Sequence, residues 1–300
     1  MNKPIKFGTD GWRGVIADDF TFANVRFCAQ GVADYLKQKG LAGQGVYIGY
    51  DRRFASEDFA AAAAEVIAGN GIKVLLSPQA IPTPWVSFGV ISKKTGGGIA
   101  ITASHNPEKW NGFKFREATG ESAASETAAG IEKFIAVAVD ADKVTSTPLA
   151  RALKEKTVEY FDLTPSYNAA ISKLIELDSL RNAGLKIAVD SMYGVGSGRF
   201  KMFLSGGTTA VTEINSERNP EFPGINPEPI AVNLKKLSSL VVAQKTNVGL
   251  ATDGDADRIG IVDEHGVFLT QLQVFALLCL YLLEVKGDRA LWSGPLPAPA

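Results

Sequence analysis

The sequence has only two cysteines, Cys28 and Cys279, in 300 residues. Both lie in apolar stretches with a helical pattern, where a thiol behaves as a small buried hydrophobic group. We therefore expect free thiols in a reducing compartment and no disulfide. The chain also lacks an excess of charge of one sign, since 31 basic and 32 acidic residues give a net charge of -1. This balance provides no field that would attract nucleic acid or an anionic membrane.

Long hydrophobic segments are missing as well. The longest apolar run, Val274–Leu283, is too short to span a bilayer. The N-terminal segment, residues 1–14, has no apolar stretch of the kind found in secretory signals. The sequence thus predicts a cytoplasmic protein without a nucleic-acid or membrane partner, and it leaves the oligomeric state unassigned.

The hydrophobic pattern predicts an α/β fold. With 46% hydrophobic residues, the chain can form sizeable cores, and its length suggests two domains. Short β-branched runs alternate with segments of helical spacing, which favours mostly parallel sheets covered by helices. In the first part we expect helices near 22–39 and 57–68, the second capped by Ser56, and strands near 46–50, 72–76 and 98–102.

A second set of elements follows from about residue 157. It contains strands near 185–189, 210–213 and 247–252 and helices near 165–177, 197–204 and 231–243. After Arg258, a strand near 259–263 and a helix near 271–285 resemble the start of a third unit. The tail 287–300 has three prolines in six residues and cannot continue a sheet.

These patterns predict tandem α/β/α domains with mixed or parallel sheets. We place the first domain at 1–155, the second at 156–260 and an incomplete third at 261–300, with a fourth domain absent. Truncation, a frameshift and a natural short form all remain open explanations for the tail.

The segment Thr252–Arg258 carries the sharpest chemical signal. Asp253, Asp255 and Asp257 alternate with small residues directly after a short apolar strand, where open α/β sheets place ligand sites. Three adjacent carboxylates repel one another unless a cation neutralises them, and hard oxygen ligands suit Mg²⁺ or Ca²⁺. An EF-hand is excluded because its later ligands are missing, and a solvated acidic turn is the remaining alternative.

The segment Gly98–Pro107 places Ser104 just beyond another strand, followed by His105. A serine at a strand end is a candidate nucleophile or phosphate carrier once a base or a metal activates it. The alternative is an Asn-Pro turn with an incidental serine and histidine. A serine hydrolase is disfavoured because the Gly-x-Ser-x-Gly elbow is absent.

Two further segments are candidate anion-binding loops. Phe7–Gly14 combines three glycines with Thr9 and Arg13, and Asn111–Phe115 contains Lys114. Each alone is also compatible with a surface turn, and neither is a P-loop. The glycine-rich segment Gly194–Gly198 is not a dinucleotide fingerprint, because Arg199 occupies the position that requires glycine or alanine.

In combination, these motifs resemble the α-D-phosphohexomutase family, which includes phosphoglucomutase, phosphomannomutase and phosphoglucosamine mutase. The resemblance covers about residues 5–285, and the pair Thr102–Pro107 and Asp253–Arg258 is highly specific to that family. It implies that Ser104 is the phosphorylated residue and that one Mg²⁺ per active site is bound by Ser104, Asp253, Asp255 and Asp257. It also implies that the active site is lined by Thr9, Arg13, His105, Lys114 and Arg258, with His105 and Lys114 as acid–base candidates.

The resemblance further implies a reaction. A hexose phosphate would be isomerised by intramolecular phosphoryl transfer between its 1- and 6-positions, through phosphoserine and a hexose 1,6-bisphosphate intermediate. Such transfer depends mainly on charge neutralisation and in-line positioning. Catalytic roles would fall to Ser104, Lys114, His105 and Arg13, and phosphate binding to Thr9 and Arg258.

The sequence also departs from the family pattern. The sugar-recognition loop of the family's third domain and the phosphate-binding loop of its fourth are not found here. We therefore expect weak or absent mutase turnover from this chain alone. A non-catalytic metal- and phosphate-binding fragment and a Mg²⁺-dependent phosphatase with an aspartate nucleophile, Asp253 or Asp255, are the alternatives. The identity of the hexose is not readable.

Overall fold

A computed structural model of the protein describes residues 5–287 and contains two α/β/α domains, each built on a mixed sheet. The elements of the first domain are β1 (Trp12–Val15), α1 (Phe22–Gln38), β2 (Val46–Tyr50), α2 (Ser56–Gly69), β3 (Val74–Leu76), α3 (Thr83–Lys93), β4 (Gly97–Ile101), β5 (Trp110–Glu117), α4 (Ser125–Asp140), α5 (Leu149–Lys154) and β6 (Val158–Tyr160). The chain continues with α6 (Thr164–Leu174), α7 (Leu177–Arg181), β7 (Lys186–Asp190), α8 (Arg199–Leu204), β8 (Ala210–Ile214), α9 (Lys235–Gln244), β9 (Val248–Thr252), β10 (Ile259–Val262), β11 (Phe268–Leu269) and α10 (Gln271–Leu280).

The first sheet has six strands in the order β1-β5-β4-β2-β3-β6. Strands β4, β2, β3 and β6 run parallel, whereas β5 and β1 form an antiparallel edge. Because side chains alternate along a strand, Ile48 packs with α1, α2 and α4 on one face, and Tyr47 packs with α3 on the other. Two apolar layers therefore fix the sheet between helices, as the sequence pattern predicts.

The second sheet has five strands in the order β11-β10-β9-β7-β8. Its parallel strands β9, β7 and β8 are covered by α9 on one face, through Leu237 and Val241, and by α8 on the other, through Leu204. The carboxyl ends of the parallel strands in both sheets lead into the loops that carry the candidate site residues.

The prediction that a third unit opens after Arg258 differs from the observed pairing. Strand β10 pairs antiparallel with β9, and β11 pairs with β10, so both complete the second sheet. The predicted boundary between residues 155 and 156 likewise falls before β6, which pairs with β3 in the first sheet. In both places long-range strand pairing, which local periodicity does not report, decides which sheet a strand joins. The prediction for the tail lies largely outside the described residues.

Smaller differences concern single residues. Ser56 is the first residue of α2 rather than its cap, and its hydroxyl donates a hydrogen bond to Asp51 instead. The expectation of free thiols is confirmed, since Cys28 and Cys279 are unpaired and burial raises the pKa of the Cys28 thiol. Among residues 5–287, no helix combines the length and apolar character needed to cross a bilayer.

Candidate active site

The serine loop, residues 102–107, and the metal loop, residues 253–258, meet between the two domains. The Ser104 hydroxyl donates a hydrogen bond of 2.8 Å to Asp253 Oδ2, although 149 positions separate the two residues. Ser104 is 2% exposed and adopts a left-handed backbone conformation with φ of +53°. Since this conformation is unfavourable for a residue with a Cβ atom, the surrounding loop must hold it in place.

Close backbone packing allows the two loops to touch. A Cβ atom on Gly254 would lie 2.5 Å from the Ser104 carbonyl oxygen, and one on Gly194 would lie 2.7 Å from the Asp253 carbonyl oxygen. Only glycine fits at these two positions without displacing backbone. The Val195 N–H also donates to the Gly254 carbonyl at 3.1 Å, which ties the metal loop to the segment after β7.

The three carboxylates of the metal loop converge, with one oxygen from each lying within 4.8 Å of the others. Asp253 and Asp255 are fully buried, whereas the Asp257 side chain is 29% exposed. Asp253 Oδ1 accepts hydrogen bonds from the backbone N–H groups of Asp257 and Arg258, at 3.0 and 3.1 Å, which shape the turn. The loop is therefore folded around its own first carboxylate.

These carboxylates have opposite electrostatic environments. Burial, followed by the negative charge of Asp255, raises the pKa of Asp253. Burial also opposes ionisation of Asp255, but the charge of Lys114 and the hydrogen bonds from neighbouring side chains, among them Thr83, together outweigh it and lower the pKa of that carboxyl. Lys114 Nζ lies 3.1 Å from Asp255 Oδ2 and 3.9 Å from Asp257 Oδ2, and its side chain is only 3% exposed. One buried cation therefore faces two of the three carboxylates of the metal loop.

The donor set fits a hard divalent cation. Asp255 Oδ1 is buried and has no hydrogen-bond partner among the described residues, so a strong acceptor is left for a ligand. Octahedral Mg²⁺ spaces its oxygen ligands about 3 to 4 Å apart, which is compatible with the observed cluster. The remaining repulsion, visible in the raised pKa of Asp253, is of the kind that such a cation relieves.

Two further predicted site residues, His105 and Arg13, contact the serine loop. His105 Nδ1 lies 3.3 Å from the Ser104 hydroxyl oxygen, and burial together with the positive charge of Arg258 lowers the pKa of its imidazole. Arg13 donates to the serine loop, at 2.5 Å to Asn106 Oδ1 and 3.3 Å to the Ala103 carbonyl. The structure thus brings His105 and Arg13 to the serine loop.

Thr9 and Arg258 are the two predicted residues whose side chains stay outside these contacts. Thr9 is exposed in the turn between Gly8 and Gly11 and forms no side-chain hydrogen bond within the described part of the chain. The Arg258 side chain is 47% exposed and pairs with Glu228 at 3.3 Å. Both remain accessible at the surface of the site.

The two basic residues of the predicted loops lie in strands. Arg13 lies in β1 and Lys114 in β5, and these strands pair antiparallel with Arg13 opposite Gly112. Asp10, which the sequence did not single out, bridges the two cations, since its carboxylate contacts Arg13 and lies 3.5 Å from Lys114 Nζ. The strand pairing therefore delivers both cations to one place.

Arg53 is the main residue that sequence reasoning missed. Its guanidinium is fully buried and donates to four carbonyl oxygens of the serine loop and the following turn, those of Ser104 (2.7 Å), Asn106 (2.6 Å), Pro107 (2.9 Å) and Trp110 (3.1 Å). Asp51 balances its charge at 3.2 Å. Because Arg53 comes three residues after β2, its position at the end of a parallel strand was a usable signal.

Thr83, at the start of α3, was also missed. Its hydroxyl donates to Asp255 Oδ2 at 2.7 Å, and its backbone N–H donates to the Asp255 carbonyl at 2.9 Å. The first domain therefore holds the metal loop of the second from two sides, through Thr83 and through Lys114.

The four hydrogen bonds from Arg53 to backbone carbonyl oxygens lead to a stability prediction. We expect Arg53→Met to lower the free energy of unfolding by about 3–5 kcal/mol, because it leaves the buried Asp51 charge unpaired and removes the donors of four carbonyls. Urea unfolding measures this change. Arg26→Met is the matched control, since Arg26 pairs with Glu65 at 3.5 Å on the surface and its loss should cost at most about 1 kcal/mol. Equal effects of the two variants would contradict the assigned role of Arg53.

Comparison with protein families and known proteins adds an independent line of evidence. Residues 4–141 match the family model of phosphoglucomutase/phosphomannomutase, alpha/beta/alpha domain I, and residues 165–266 match that of domain II. The phosphoglucosamine mutase of Carboxydothermus hydrogenoformans is 30% identical over 287 residues, which cover 94% of this chain and 62% of that protein. A phosphoglucomutase/phosphomannomutase of Thermococcus kodakarensis is 29% identical and covers 95% and 61%, respectively.

A crystal structure from Thermus thermophilus, of a protein named as a candidate phosphomannomutase, superposes with a TM-score of 0.84 at 38% identity. The match covers 96% of this chain and 63% of that one. The present chain thus spans about 60% of the length of the relatives that it matches.

Proposed function

Because the chain belongs to the phosphoglucomutase/phosphomannomutase family, we propose that it carries the phosphoryl-transfer centre of a hexose phosphate mutase. The hydrogen bond between Ser104 and Asp253 carries the proposal, since it joins a candidate nucleophile to a cluster of metal-ligand type across the two domains. The proposed reaction moves a phosphoryl group between the 1- and 6-positions of a hexose phosphate, with a hexose 1,6-bisphosphate as intermediate. The cytoplasmic location remains a prediction.

Mg²⁺ is the proposed cofactor, held by the three carboxylates and by the Ser104 oxygen or the phosphate that it carries. When bound, the cation would neutralise charge on the transferring phosphoryl group. Arg13 and Lys114 add fixed positive charge on the same side of the serine loop. The charge neutralisation that phosphoryl transfer needs is therefore supplied by side chains already in place.

Proton transfer accompanies each step. When Ser104 takes a phosphoryl group, its Oγ–P bond forms as the bond to the sugar oxygen breaks, and the hydroxyl proton must leave. Two acceptors are in reach, Asp253 Oδ2 at 2.8 Å and His105 Nδ1 at 3.3 Å. The lowered pKa of His105 favours the neutral imidazole, which can accept this proton. Lys114, whose Nζ lies 3.1 Å from Asp255 Oδ2, acts as a cation or as a proton donor to the leaving sugar oxygen.

The test is incubation of the Mg²⁺-loaded chain with a hexose 1,6-bisphosphate, followed by peptide mass spectrometry and a coupled assay for hexose monophosphates. Phosphate on Ser104 supports the mutase centre. Phosphate on Asp253 or Asp255, or release of inorganic phosphate without phosphoserine, supports a phosphatase instead. Metal binding without any transfer supports a non-catalytic metal- and phosphate-binding module.

The close approach of the two loops yields a second prediction. Gly254→Ala places a methyl group 2.5 Å from the Ser104 carbonyl oxygen and must push the loops apart. We expect phosphate uptake by Ser104 to slow by about 100-fold, because displacements near 1 Å have effects of this size on positioned reactants. Gly43→Ala is the control, since nothing lies within 4 Å of its added Cβ atom. Uptake at the wild-type rate in Gly254→Ala would show that contact between the loops is not required.

A further inference from the structure

A second cleft at the junction of the two domains contains two arginines, Arg52 and Arg199, that form no ion pair within residues 5–287. This arginine cleft has a volume of about 350 Å³ and is lined by Arg52 and Gln79 from the first domain and by Ser197 and Arg199 from the second. We propose that the arginine cleft binds a phosphate group, free or as a monoester, and that the bound phosphate bridges the domains. The inference is independent of the function proposed above.

The charges in the cleft favour an anion. In the described part of the chain neither Arg52 nor Arg199 forms an ion pair, whereas Arg53 and Arg218 do. Burial, and then the guanidinium of Arg218, lowers the pKa of Arg52, and burial lowers the pKa of Arg199. Two half-buried guanidinium groups without an ion-pair partner are unfavourable, and an anion between them lowers that cost.

The carboxylates near the cleft are already engaged. Asp162 accepts hydrogen bonds from the backbone N–H of Thr164, at 2.9 Å, and from its hydroxyl, at 2.6 Å. Glu213 Oε1 accepts from Ser191 and from the backbone N–H of Gly198, the latter at 2.8 Å. These acids and Glu217 moderate the field around the two arginines, but one oxygen of Asp162 and one of Glu213 are already bonded to other donors.

Both guanidinium groups are held in place before any ligand arrives. Arg52 Nη1 donates to the carbonyls of Ser216, at 2.8 Å, and Gly194, at 3.3 Å. Arg199 lies over the Trp85 ring at 4.4 Å, and its Nη2 donates to the Ala80 carbonyl at 3.4 Å. Each contact uses one terminal nitrogen, which leaves further N–H donors in a fixed fork of the kind that suits phosphate oxygens.

The glycine-rich segment Gly194–Gly198 lines the cleft but does not itself offer backbone donors. The N–H of Gly198 is bonded to Glu213, and that of Val195 to the Gly254 carbonyl in the metal loop. The segment therefore places Arg199 at the start of α8 and connects the cleft to the metal loop. Arg52 directly precedes Arg53, which holds the serine loop. A phosphate bound by both Arg52 and Arg199 would therefore connect the segment that supports the serine loop to the segment that contacts the metal loop.

Calorimetric titration of the metal-free full chain with inorganic phosphate, and separately with a hexose 6-phosphate, tests the inference. We expect Arg52→Gln and Arg199→Gln each to weaken phosphate binding at least tenfold, while Arg181→Gln binds like the wild type. Arg181 is a matched control in the same domain, since it pairs with Asp178 outside the cleft. Tighter binding of the ester than of inorganic phosphate would identify a sugar phosphate as the source, and equal binding would identify phosphate itself.

No binding by the wild type, or unchanged binding by both cleft variants, would overturn the inference. A readout without variants is anomalous diffraction from wild-type crystals soaked in tungstate, an analogue of phosphate. The inference predicts a peak between the guanidinium groups of Arg52 and Arg199, and peaks at other places alone would contradict it.

Discussion

Replacing Ser104 by alanine is expected to abolish phosphate uptake by the protein. The wild-type chain, loaded with Mg²⁺ and given a hexose 1,6-bisphosphate, should gain one phosphoryl group, detected by intact-protein mass spectrometry. In Ser104→Ala the uptake should fall by at least about three orders of magnitude, because the attacking oxygen is gone and no other hydroxyl replaces it. The effect is large because Ser104 is the serine whose hydroxyl contacts the metal loop at 2.8 Å.

A neighbouring serine provides the control. Ser77 is also buried at the end of a parallel strand, β3, but its hydroxyl donates to the Gln79 carbonyl and not to a carboxylate. Ser77→Ala should therefore be phosphorylated like the wild type. Phosphate uptake by Ser104→Ala at the wild-type rate would rule out Ser104 as the carrier.

Replacing either buried aspartate of the metal loop by asparagine should weaken Mg²⁺ binding at least about 100-fold. Loss of a group that only supports a metal ligand already costs about 10- to 100-fold in affinity, and loss of the ligand itself should cost more. The two variants should differ in stability, however. Asp255→Asn leaves the buried Lys114 ammonium with only its weaker partners and should cost about 3 kcal/mol in the metal-free protein. Asp253→Asn instead removes one of the mutually repelling charges. Its amide oxygen can still accept from the loop N–H groups of Asp257 and Arg258, and its amide NH2, which replaces Oδ2, can donate to the Ser104 hydroxyl oxygen. Its metal-free form should be at least as stable as the wild type.

The pH dependence of stability follows from the same difference. In the folded, metal-free protein burial, followed by the charge of Asp255, raises the pKa of Asp253 to about 8, above its value in the unfolded chain. A raised pKa contributes stability at low pH that is lost as the pH rises through the folded value. Between about pH 4 and 8, the wild type should therefore lose stability relative to Asp253→Asn, and Mg²⁺ should restore it. Urea unfolding in chelator and in Mg²⁺ measures both effects, and parallel pH profiles for the two proteins would contradict this account.

Much of the site could be predicted because the serine motif and the acidic motif are both short and both follow parallel strands. Asp253, Asp255 and Ser104 all lie just after the strands β9 and β4, where open sheets place ligands. Local sequence therefore identified the chemistry, and the geometry of the two sheets brought the loops together.

The supporting residues depend on long-range packing and were less visible. The segments that contain Arg13 and Lys114 were also compatible with surface turns, yet antiparallel pairing of β1 with β5 makes both of them strand residues. Arg53 and Thr83 act through contacts with distant backbone and carboxylates, which no local periodicity encodes. The assignment of the strand near 259–263 to a third unit differs from the structure for the same reason, since only the pairing of β10 with β9 shows which sheet it completes.

The central claim is that the hydroxyl at 104 and the carboxylates of the metal loop share one divalent cation. Diffraction from crystals grown with Mn²⁺, at a wavelength where manganese scatters anomalously, tests it most directly. We predict a single ion within about 2.0–2.6 Å of an oxygen from each of Asp253, Asp255 and Asp257, with the Ser104 oxygen or its phosphate completing the shell. Absence of an ion at the metal loop, or an ion bound there while the Ser104 loop lies elsewhere, would contradict the account.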